Sequence, residues 1–167
     1  MPTIYKMFKA PTRKQMRLIW AKVSAGKPLP VEDMSLAQVM HNHPEYADLW
    51  PRIDKLSRKQ IERDGGDPIL HIALHQAIEK QIADKDPLET SEAVKAFMRQ
   101  GLSRHEAIHR VLLVLADEAW NVLAKDKPFD QVRYVRKLRK LAEEPNTPKL
   151  EKAPRAAQSR ASKGKSK

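Results

Sequence analysis

Proline and glycine punctuate this sequence at intervals that leave room for helices and for little else. Gly26 with Pro28, Pro44, Gly65-Gly66, Pro68, Pro87, Gly101, Pro128 and Pro145 cut the chain into short pieces. Inside them apolar residues recur three and four apart, the period of an α-helix, and no piece alternates convincingly as a half-buried strand does. The expected fold is all-α, a compact bundle of about six helices. Its domain covers residues 11–144, between a basic N-terminal arm (1–10) and a disordered basic C-terminal tail (145–167).

Local signals place the elements. Met16, Ile19, Trp20 and Val23 share one face of a helix over about 11–25. A second helix over about 31–42 stops before Pro44, and a turn or short helix begins at Pro44 and runs on to Trp50. Ile53, Leu56 and Ile61 suggest an amphipathic helix over 52–63, broken by Gly65-Gly66. Asp67-Pro68 is a strong start signal, an N-cap acceptor followed by proline at the first helical position. It opens a helix over 68–84, followed by one over 88–100. Ser103 and Glu106 form a capping box for the longest helix, 104–125. A basic helix over about 129–143 closes the domain.

Composition removes several classes of function. The 167 residues suit one domain and include no cysteine. Disulfide frameworks, thiolate zinc sites, iron–sulfur clusters and cysteine nucleophiles are therefore excluded, and a metal would need His, Asp or Glu. No apolar run approaches the ~18–20 residues that span a bilayer, and Met1 to Lys9 lacks the apolar stretch of a secretory signal. A soluble cytoplasmic protein with no membrane partner is expected. No feature indicates an oligomeric state. The net charge of +11 belongs to the two ends. Residues 1–30 hold seven Lys/Arg and no acid, and residues 145–167 hold seven against Glu151 alone. Basic ends of this kind attract nucleic acid or another polyanion without reading sequence, or serve only as solubilising tails.

Four of the six histidines form two pairs, His71/His75 and His105/His109. Residues four apart on a helix lie about 40° apart around it, one turn above each other. Each pair can therefore aim two imidazoles at one point. His71 and His75 fall on the edge of an apolar face with Glu79 a turn further on. His105 and His109 head a line continued by Leu112, Ala116, Trp120 and Leu123. If the helices over 68–84, 88–100 and 104–125 run up, down and up, both pairs lie in first turns at the same height. Packed helices stand ~8–10 Å apart, close enough for imidazoles from both sides to hold one ion at ~2.0–2.1 Å. Helix N-termini keep the rings neutral, as ligands must be. The candidate site is thus a divalent-metal centre, zinc ahead of iron, of His71, His75, His105, His109 and Glu79.

Other readings compete. His105-Glu106-Ala107-Ile108-His109 matches the zinc-hydrolase pattern H-E-x-x-H. However, Glu106 is already accounted for as the capping partner of Ser103, no third-histidine extension follows, and no strands are present to hold a peptide. Zinc-hydrolase activity is therefore not expected, with Glu106 a weak candidate base. A di-iron bundle would use His75-x-x-x-Glu79, but Glu118 lies about 220° from His105 and faces elsewhere. Of His41-x-His43, the two cannot face together on a helix. His43 before Pro44 is biased to extended backbone, so one of them can join the cluster, although a helix-end role is the simpler account. The alternative function is a nucleic-acid- or ribosome-binding module using Arg13, Lys14 and Arg17 with Arg133, Arg136, Lys137, Arg139 and Lys140. Their alternation with Val132, Val135, Leu138 and Leu141 is also that of any solvated amphipathic helix. In a third reading the histidines form a ligand-free polar network that fixes helix register.

Three blocks carry a family resemblance: His43-Pro44-Glu45-Tyr46, Asp67 to Glu79, and His105 to His109 with Glu118 and Trp120. On these residues the chain resembles a bacterial family designated domain of unknown function 1841, over about residues 17–141. The resemblance implies a cytoplasmic, all-helical bacterial protein and brings no activity with it. The tail beyond Pro145 lies outside the family pattern.

Overall fold

The computed structural model describes residues 10–125 and 127–144. The expected tail, and all of the expected arm except its last residue, lie outside these residues. The described part is helical throughout: α1 Arg13–Ser24, α2 Val31–His41, α3 Arg58–Ile61, α4 Pro68–Asp84, α5 Leu88–Arg99, α6 Arg104–Lys125 and α7 Gln131–Glu143. Two 3-10 turns, Pro44–Tyr46 and Trp50–Arg52, lie between α2 and α3. Among the described residues there is no strand, only an isolated bridge between Arg63 and Gly66.

The start of α4 follows its sequence signal closely. The Asp67 carboxylate accepts from the backbone N–H groups of Ile69 and Leu70 at 2.8 and 3.3 Å, and Pro68 occupies the first turn. Where the helix ends, Lys85 takes a left-handed conformation (φ 56°). Ser103 and Glu106 form the expected box at the start of α6, with Ser103 N–H donating to Glu106 Oε2 at 2.9 Å and Glu106 N–H to Ser103 Oγ at 3.3 Å.

One helix is not formed as expected. The stretch 52–63 contains only α3. Pro51 closes a 3-10 turn at Trp50–Arg52, and Ser57 then starts a fresh helix with Gln60 as its capping-box partner. Glu62 leaves helical geometry (ψ 135°) ahead of the positive-φ pair Asp64 and Gly65. The apolar pattern still describes burial correctly: Ile53 and Ile61 are core residues and Leu56 packs against that core.

Two hydrophobic cores result. Met16, Ile19, Leu36, Met40, Leu49, Trp50, Ile53 and Ile61 build the first, from α1, α2, α3 and the turns between them. Leu74, Ile78, Val94, Phe97, Ile108, Val111, Leu115, Tyr134 and Leu138 build the second, from α4 to α7. Helix α4 belongs to both: Ile72 enters the first core, and Leu74, Ala77 and Ile78 enter the second. Buried positions therefore run nearly all round α4, the pattern of a central helix. Its first turn is less enclosed, and Leu70 there is 42 % exposed.

Helix α6 behaves differently. Its buried residues Ala107, Ile108, Val111, Leu112, Leu115, Glu118 and Ala119 centre about 90° away from His105 around the helix. His105 and His109 therefore line the edge of the buried face. Trp120, expected to face inward below them, is 61 % exposed because it lies beyond that edge. Glu118, on the buried side, is wholly enclosed. It accepts from Arg133 through two nitrogens and from Lys137 at 2.8 Å, tying α6 to α7.

Candidate metal centre

The first turns of α4 and α6 meet, and their four histidines come together with a fifth. His43 reaches the same point from the segment between α2 and the Pro44–Tyr46 turn. The ring centroids of His71, His75 and His105 each lie 4.8 Å from that of His43, and that of His109 lies 5.5 Å away. His105 and His109 stand 4.2 Å apart, His75 and His105 5.1 Å, and His71 and His109 5.0 Å. The cluster thus spans the seam between the two cores, with α4 supplying two rings, α6 two, and the α1–α2 side one.

His43 is the hub, and its local sequence explains why. Next to Pro44 the helical conformation is disfavoured, and His43 takes a non-helical geometry (φ −122°, ψ 68°). The ring turns inward and is fully buried. Its Nδ1 lies 2.7 Å from the carbonyl oxygen of Val39. A carbonyl only accepts, so Nδ1 carries the proton and Nε2 of the neutral ring is a bare lone pair. That lone pair lies 3.0 Å from Nε2 of His71 and 3.3 Å from Nε2 of His109. An imidazole that donates one nitrogen to a backbone carbonyl and offers the other to a centre is oriented as metal-binding histidines usually are.

His75 is the least satisfied group of the site. It is completely buried, and neither ring nitrogen has a hydrogen-bond partner. His105 Nδ1 is likewise buried without one. A buried polar atom left unpaired costs about 1–3 kcal/mol. One nitrogen from each of His43, His75, His105 and His109 lies within 4.8 Å of the others. His71 joins through its contact with His43 and stands at the half-buried margin with His105 and His109.

Burial favours the neutral form of His43, His71, His75 and His109. It is the main cause lowering His75 from 6.5 to about 2 and His71 and His109 to about 4, with neighbouring imidazoles adding to the effect. His43 is also lowered by burial, against the pull of the Val39 carbonyl. Tyr46 closes one side, its ring parallel to that of His43 at 5.9 Å and edge-on to His71 at 5.9 Å.

The carboxylates expected near the centre are engaged elsewhere. Glu79 forms a two-bonded ion pair with Arg104, 2.6 Å for each contact, clasping α4 to the first residue of α6. Glu106 is turned to Ser103, whose hydroxyl and backbone N–H hold its carboxyl below the ordinary range. His41 is exposed and takes no part. Spacing brought four of the five rings into view. The fifth had one signal, the bias away from helix that Pro44 imposes on His43.

On α7, Arg133 and Lys137 are bound to Glu118, Lys137 also to Asp117, and Arg139 pairs with Glu89 at 2.6 Å. Arg136 and Lys140 are exposed. On α1, Arg13 donates to the Leu56 carbonyl and Arg17 pairs with Asp54. Most of the basic residues suggested for polyanion binding therefore make bonds within the fold. No described helix is long and apolar enough to cross a membrane.

Fold and site together define a small all-α protein whose two cores meet at a cluster of five histidines. The chain belongs to the family described as domain of unknown function, DUF1841, whose model matches residues 9–140. No curated protein matches the chain, and no solved structure does.

Proposed function

We propose that this protein binds one divalent transition-metal ion at the cluster of His43, His75, His105 and His109, with His71 as a fifth imidazole at its margin. The observation that carries this reading is His75, enclosed with both nitrogens unpartnered among four other imidazoles. In a ligand-free polar network such a ring would be expected to find a carbonyl or a carboxylate. A metal ion satisfies one nitrogen from each ring at once. Neutral nitrogen donors without carboxylates suit zinc and its neighbours and are poor for magnesium or calcium. Iron in a carboxylate-bridged pair fits less well, because Glu79 is committed to Arg104. Hydrolysis with Glu106 as base is not supported either, since that side chain is bound to Ser103.

The test is elemental analysis of the purified full chain after gel filtration, followed by zinc titration of chelator-treated protein. One equivalent of bound metal is expected, with loss in His75→Ala and His109→Ala. Absence of stoichiometric metal, with melting unchanged by chelator and by added zinc, would overturn the reading.

A further inference from the structure

The basic side chains of the surface are not all treated alike. On α7, Arg133 and Lys137 are neutralised by Glu118 and Arg139 by Glu89. The stretch 52–59, from the end of the second 3-10 turn into α3, is different. It holds four basic residues, Arg52, Lys55, Arg58 and Lys59, against one acid, Asp54. All four are exposed, and among the described residues their side chains make no hydrogen bond or ion pair. Asp54 is already bound to Arg17 at 2.7 Å, and Asp48 to Arg63 at 2.8 Å. Glu62 and Asp64 follow beyond the end of α3. Helix α1 pins the stretch a second time, through Arg13 Nη1 donating to the Leu56 carbonyl at 2.7 Å. That oxygen carries no net charge, so the Arg13 guanidinium adds to the positive field. With Ile53 fully buried as well, the cations stand on an anchored backbone. Surfaces that serve only solubility intersperse the two signs; a single-sign field serves to attract a charged partner.

We infer that this face, Arg52, Lys55, Arg58 and Lys59 backed by Arg13, binds the phosphate backbone of double-helical nucleic acid. Regularly spaced phosphates complement a row of exposed cations and need no pocket. The stretch contains no aromatic residue, so it offers no platform on which unpaired bases could stack. Its two large apolar side chains, Ile53 and Leu56, are turned into the fold, which leaves nothing to enter a lipid surface. Phosphate contacts fix position without reading sequence, and the binding is therefore sequence-blind. The inference is independent of the metal centre.

The experiment is fluorescence anisotropy of the full chain with a labelled RNA duplex and a DNA duplex of equal length, over a series of salt concentrations. Two variants with the same change of net charge are compared with the parent. One carries Lys55→Glu, Arg58→Glu and Lys59→Glu together; the other carries Lys163→Glu, Lys165→Glu and Lys167→Glu in the basic tail. The parent should bind saturably, with a Kd of roughly 1–100 µM at physiological salt. The two duplexes side by side show whether the face takes RNA, DNA or both. In the first variant the slope of log affinity against log salt should flatten by about one unit per residue replaced. Its melting should match the parent, since the replaced side chains hold no contact. The tail variant should keep the larger part of the slope. Equal losses in the two variants, or loss in the tail variant alone, would overturn the inference, because binding would then follow net charge or the tail. So would absence of binding to both duplexes, or binding only to vesicles of anionic phospholipid. If the Glu variant fails to fold, Lys55→Gln, Arg58→Gln and Lys59→Gln make the same comparison with a smaller change of charge.

Discussion

Nε2 of His43 faces Nε2 of His71 across 3.0 Å, joining the segment after α2 to the first turn of α4, the helix both cores share. Nε2 of His109 lies 3.3 Å from the same His43 nitrogen. The His71 contact brings the α2 end of the molecule to the first turn of α4 through a lone pair fixed by the Val39 carbonyl. His43 therefore makes the cluster a property of the whole domain.

His43→Ala should reduce metal affinity by at least about tenfold, and His41→Ala should leave it unchanged. Even loss of a group that only orients a ligand typically costs 10–100-fold. Competition with a zinc indicator measures both variants. Equal affinities in the two would remove His43 from the ligand set.

Acid should destabilise the metal-free fold. The unfolded chain takes up protons on these histidines near 6.5, whereas His71 and His109 resist until about 4 and His75 until about 2. Between those values the unfolded state binds more protons, so unfolding becomes easier as pH falls. The contribution is fully present above 6.5 and is lost progressively from there down to the folded values. Denaturant midpoints in chelator should fall between pH 7.5 and 4.5. A His75→Leu variant should show a shallower slope if its own midpoint permits the measurement.

Glu106→Ala should cost about 1 kcal/mol, the ordinary value of a helix cap, and leave metal stoichiometry intact. Glu106→Gln should cost less, since an amide can take the same capping role. Chemical denaturation and metal analysis of the two variants separate capping from metal chemistry.

Tyr134→Phe should destabilise by about 1 kcal/mol. Its hydroxyl donates to Gln81 Oε1 at 2.8 Å, an oxygen that also accepts from Thr90 at 2.7 Å, linking α4, α5 and α7 inside the second core. Metal affinity should not move, because no ring of the cluster contacts this network. Thermal melting of the metal-loaded and metal-free variant tests both statements.

Much of this structure was legible in the residues. Helices α4 and α6 fall on the expected bounds because each begins at a cap whose chemistry is local: Asp67 before Pro68, and Ser103 with Glu106. The two histidine pairs met for the same reason, since first turns of helices one up–down passage apart come out level. What failed was anything set by competition. Glu79 stands at ligand spacing from His75, but a guanidinium at the head of α6 claims it first. The stretch 52–63 has helical periodicity, but Pro51 and the Ser57 cap divide it. Trp120 continues the histidine line in sequence, yet that line is an edge of the buried face and the ring emerges into solvent. His43 depended on the return of a non-helical turn onto α4, which periodicity does not encode.

Helix α4, shared by both cores, has one more consequence. It carries His71 and His75 while Ile72, between them, anchors in the first core and Leu74 in the second. Any sliding or rotation of one half of the molecule on the other must change the spacing of these two rings from His43 or from the α6 pair. The histidine centre is thus a gauge of how the halves are seated. A metal ion held there would fix one seating, and its removal would return that degree of freedom to the chain.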